Sequence, residues 1–125
     1  MNVNDMLVDQ IRSVREMTLA TFGDFADDER FYQPSPGMNH PVWLLGHIAH
    51  SEDHLILAFG GGGAQLPEHY AKLFAMGSLP QSDPTAYPPV DEILDRLAAI
   101  HRAAVEWVRS ASAENSEIGR RSRWP

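Results

Sequence analysis

Apolar side chains recur at three- and four-residue intervals along most of the chain, the period of one helix face. In the first segment Val3, Leu7, Ile11, Val14 and Met17 fall in step, while Asp5, Asp9, Arg12, Arg15 and Glu16 lie largely off that face. This predicts a helix over about residues 4–21, with Asn4 as its cap, the apolar stripe turned to the core and Gly23 as its stop. A second run, from Val42 through Trp43, Leu44, Leu45, Ile48 and Leu55 to Leu57, predicts a helix from Pro41 to about residue 59. Proline suits the first helical position, where its missing N–H costs nothing. Gly60, Gly61, Gly62 and Gly63 end that helix. A short helix is predicted over about residues 66–76, opening at Pro67. Val90, Ile93, Leu97, Ile100, Ala104 and Val108 then predict a third long helix over about residues 90–111, with Asp91 and Glu92 in its first turn.

No segment alternates as a half-buried strand does, so the pattern is all-α: an up-down bundle of three long helices and one short one. Residues 23–40 and 77–89 read as loops, from their prolines, glycines and acids. Phe25, Phe31 and Tyr32 in the first loop are expected to anchor it onto the core. The glycine run lacks a following Gly-Lys-Ser/Thr, which excludes a phosphate-binding loop.

Composition narrows the function. The chain has 125 residues and a formal net charge of -7, which argues against nucleic acid as a partner. It has no cysteine, hence no disulfide framework, no cysteine-ligated metal and no thiol nucleophile of its own. No apolar run is long enough for a membrane span, and the expectation is a cytoplasmic protein. The charge is uneven. All 17 acids lie at or before Glu117, whereas residues 118–125 carry Arg120, Arg121 and Arg123 and no acid. The division this suggests is a helical domain over residues 1–112 and an irregular basic tail over residues 113–125.

Three of the six histidines, His47, His50 and His54, follow one another at three and four residues on the second helix and share one stripe. Their spacing makes all three candidate metal ligands. Neighbouring pairs are one turn apart and can chelate, whereas His47 and His54 stand about 10 Å apart along the axis and cannot share an ion without help. The competing interpretation is that they are packing groups at the edge of the core. His101 is expected to flank the core, His40 to cap or turn the chain and His69 to lie on the surface.

The segment Asn39-His40-Pro41-Val42-Trp43-Leu44-Leu45-Gly46-His47-Ile48-Ala49-His50-Ser51-Glu52 resembles the DinB-like superfamily of metal-dependent four-helix-bundle proteins. The order of a long helix, a proline-containing loop and this motif fits as well. The resemblance implies that His47 is a ligand for a divalent metal such as zinc or nickel. It also implies an activity of thiol-dependent transferase or hydrolase type on small molecules, with a low-molecular-weight thiol as co-substrate. Members of the family carry two further ligands as His-x-x-x-His on a last helix. After Trp107 this sequence contains no histidine. The expectation is therefore a bundle whose fourth helix is missing or supplied by a partner chain, in a homodimer. The alternative is a non-catalytic helical oligomer with structural histidines.

Overall fold

The computed structural model describes residues 2–58, 60 and 63–111. The expected tail over residues 113–125, and any helix expected beyond residue 111, lie outside these. The described residues are all-helical. Helix α1 spans Val3–Gly23, α2 spans Pro41–Glu52, α3 spans Glu68–Phe74 and α4 spans Val90–Ser110. Single 3₁₀ turns at Asp27–Glu29 and Pro84–Ala86 shape the loops.

The two helices that open the chain start where the sequence supplies a side-chain partner for their free N–H groups, whereas α3 and α4 follow Pro67 and Pro89 without one. For α1 that residue is Asn2 rather than Asn4. The Asn2 side chain accepts from the Asp5 N–H at 2.9 Å, and Asp5 reaches back to the Asn2 N–H in a capping box. Helix α2 opens with His40 as its cap and Pro41 in the first turn. The regular α-helix ends seven residues before the expected boundary near residue 59, and Asp53–Ala58 continue as a π-helical segment. Such wide turns are frequent at functional sites. The buried Asp53 carboxylate accepts from the Gln65 N–H at 2.7 Å and the Leu66 N–H at 3.0 Å, which ties the returning chain to the end of α2.

The core forms where α2 packs on α4 and on α3, with α1 laid against α4. Val42, Leu45 and Ala49 of α2 meet Tyr70 and Phe74 of α3 and Ile93 and Leu97 of α4, all essentially sealed from solvent. Of the three loop aromatics, Phe31 packs against this cluster as expected, whereas Phe25 and Tyr32 are exposed.

Helix α1 departs from the sequence expectation. Val3, Leu7, Val14 and Met17, assigned to the core by their spacing, are exposed. The face turned to α4 instead carries Val8, Arg15 and Phe22. The reason is that α1 bears a second seven-residue repeat, offset by one position from the first. The repeat that meets α4 contains an arginine, which hid it from a count of apolar residues.

Candidate functional site

The residues of the second-helix motif converge on the C-terminal end of α3. The last carbonyls of any helix lack an internal partner. Here α2 supplies donors for them. The Trp43 indole N–H is shared between the Leu73 carbonyl and the Ser78 hydroxyl, each at 3.0 Å. The His47 ring donates from Nδ1 to the Phe74 carbonyl at 2.8 Å and stacks on Trp43, with ring centroids 4.6 Å apart and planes 10° from parallel. Between them Gly46 lets the Phe74 ring lie against the α2 backbone, where any Cβ would overlap it. Glycine is required there by close approach rather than by backbone conformation.

His40 is buried and has both ring nitrogens engaged. Nδ1 accepts from the Trp43 N–H at 3.0 Å, and Nε2–H donates to the Gln81 carbonyl at 2.8 Å. It has no lone pair left for a metal. His47 is different. Its carbonyl partner can only accept, so Nδ1 carries a proton, and the neutral form of the ring keeps its lone pair on Nε2. A backbone carbonyl holding one nitrogen while the other faces outward is the usual support of a metal-ligating histidine.

His50 and His54 pair with each other instead of with His47. Their rings stack with centroids 4.4 Å apart and planes 19° from parallel. Lone pairs in two nearly parallel stacked rings do not converge on one point. His54 is exposed, while the His50 Nε2 is buried without a hydrogen-bond partner. Among the described residues no three His, Asp or Glu side chains form a group able to hold a metal. The three candidate ligands thus fall into two separate arrangements, His47 with Trp43 and the end of α3, and His50 with His54.

A second polar cluster was not legible in the sequence. Arg15 of α1 is only 7 % exposed. It pairs with Glu52 of α2 at 2.5 Å and donates to the Leu97 carbonyl of α4 at 3.2 Å, so that one side chain joins three helices. His101 of α4 belongs to the same neighbourhood, with its Nδ1 buried and unpartnered. An apolar groove of about 380 Å³ runs between α1 and α2, lined by Val14, Met17, Phe22, Leu44 and Ile48 among others. It continues into a second hollow of about 310 Å³ that reaches Arg15 and Glu52.

Three histidines are held below the ordinary value of 6.5. Burial is the main cause for His40, partly opposed by its backbone hydrogen bonds. For His50, burial acts together with the neighbouring His54 and His47. For His101, burial acts with Arg15 and Arg12 against an opposing contribution from Glu52. Each is therefore neutral in the fold at a pH where the unfolded chain takes up a proton. The stability they contribute is present above pH 6.5 and is lost as pH falls through that value towards the lower folded values. Each group adds a slope of at most about 1.4 kcal/mol per pH unit. Urea midpoints are expected to fall between pH 7.5 and pH 5.5, less steeply in His40→Gln; equal midpoints would refute this assignment.

The family model of the DinB superfamily matches residues 10–125. The chain belongs to the DinB superfamily. Neither the curated proteins nor the solved structures compared with it gave a match. Of the three candidate ligands, His47 is the one with a ring nitrogen held by a backbone carbonyl. The described residues do not complete a ligand set around it. In this DinB-superfamily chain no helix of the described residues is long and apolar enough to cross a membrane.

Proposed function

We propose that this chain is a metal-binding member of the DinB superfamily in which His47 is the ligand contributed by α2. The remaining ligands come from a second chain. The ion is divalent, zinc or nickel, and the activity is that of a cytoplasmic thiol-dependent transferase or hydrolase on small molecules. The thiol is a separate small molecule, since the chain has no cysteine. The observation that carries this reading is the His47 hydrogen bond to the Phe74 carbonyl at 2.8 Å, which fixes the ring with Nε2 free.

A second reading, a non-catalytic helical protein, is favoured by His40, whose two nitrogens are both used structurally, and by the His50–His54 stack. Calorimetric zinc titration separates the two. The first expects saturable binding that weakens at least tenfold in His47→Ala and persists in His54→Ala. Absence of binding, or binding indifferent to His47→Ala, selects the second.

A further inference from the structure

The exposed stripe of α1 has the spacing of a helix-packing seam. Val3, Leu7, Gln10, Val14 and Met17 follow at alternating four- and three-residue steps, the repeat that keeps one seam facing a partner helix. Their exposure is high, at 69 % for Val3, 63 % for Val14 and 70 % for Met17. No charged residue occupies the seam, and Asp5, Asp9, Arg12 and Glu16 project elsewhere around the helix. Beside it lies the apolar groove between α1 and α2.

We propose that this seam and groove form a self-association surface, occupied by α1 of a second copy running antiparallel. The seam is self-complementary in that direction. With Gln10 at the two-fold axis, Val3 of each copy meets Met17 of the other and Leu7 meets Val14, as a symmetric interface requires. The exposed parts of Val3, Met6, Leu7, Val14, Met17, Phe25 and Leu44 amount to roughly 600 Å² per copy, and the pair to roughly 1,200 Å², the lower edge of specific interfaces. The length of the seam argues against a small molecule as occupant, because Val3 to Leu7 extend beyond the groove lining. Residues 112–125 offer only Ile118 and Trp124 as large apolar side chains, which form no matching stripe.

Sedimentation of the full chain tests this surface independently of any metal. Wild type is expected at twice the chain mass, and the double variant Val14→Glu/Met17→Glu at the chain mass with unchanged helical circular dichroism. Both positions are exposed, so the fold tolerates them. Because the chain has no cysteine, single cysteines report the register. Gln10→Cys is expected to form a disulfide-linked pair on mild oxidation, and Arg12→Cys, on the opposite side of α1, is not. A wild-type monomer at all concentrations, as a covering by residues 112–125 or a small ligand would give, overturns the proposal. So does a dimer that survives the double variant, or equal cross-linking at positions 10 and 12.

Discussion

Gly46→Ala is expected to destabilise the protein by about 2 kcal/mol, and Gly46→Val by more. On an exposed helix surface the alanine change would stabilise by about 1 kcal/mol, since glycine is the poorer helix former. The sign reverses here because the Phe74 ring occupies the place of the missing Cβ. Phe74 is fully buried among Tyr70, Tyr87 and the α2 backbone, so its ring has nowhere to retreat. The strain must move α3 away from α2, which also lengthens the bond from His47 to the Phe74 carbonyl. Chemical denaturation of wild type and both variants measures this. An alanine variant as stable as wild type would mean that α3 does not sit where the structure puts it.

Glu52→Ala is expected to cost about 3 kcal/mol, because it leaves the Arg15 guanidinium buried opposite nothing. Arg15 is 7 % exposed and its remaining contact is the Leu97 carbonyl, a neutral acceptor. The side chain of Glu52 is 16 % exposed, which sets the expectation at the lower end for a buried pair. Replacing both partners, as Arg15→Met with Glu52→Leu, is expected to recover most of the loss, because no uncompensated charge remains. Denaturant midpoints of the two single variants and the double decide it. If the double variant is as unstable as the sum of the singles, the two side chains do not act as a pair.

Most of the fold was legible in local sequence signals. Helices with a strong apolar stripe, α4 above all, appear within a residue or two of their expected limits. Helix α1 was found but turned the wrong way, because two stripes one residue apart compete, and the one that packs on α4 contains Arg15. Only the positions of Glu52 and Leu97, distant in sequence, make that arginine a core residue. The π-helical turn at Asp53–Ala58 was likewise invisible to an apolar pattern, since it depends on the Asp53 carboxylate capturing two backbone N–H groups of the returning chain. In the candidate site the shared stripe of His47, His50 and His54 was legible from spacing. Their separation was not, since it follows from Trp43 and the end of α3 claiming one ring while the other two stack.

The hold of α3 on His47 fixes the tautomer with Nδ1 protonated and Nε2 bare. It is tested most directly by the ¹⁵N chemical shifts of the His47 imidazole at neutral pH, read before and during zinc addition. A protonated Nδ1 and a bare Nε2 that shifts on saturation with zinc is the result expected. A protonated Nε2, or a His47 signal that zinc leaves unmoved while another histidine responds, would contradict it.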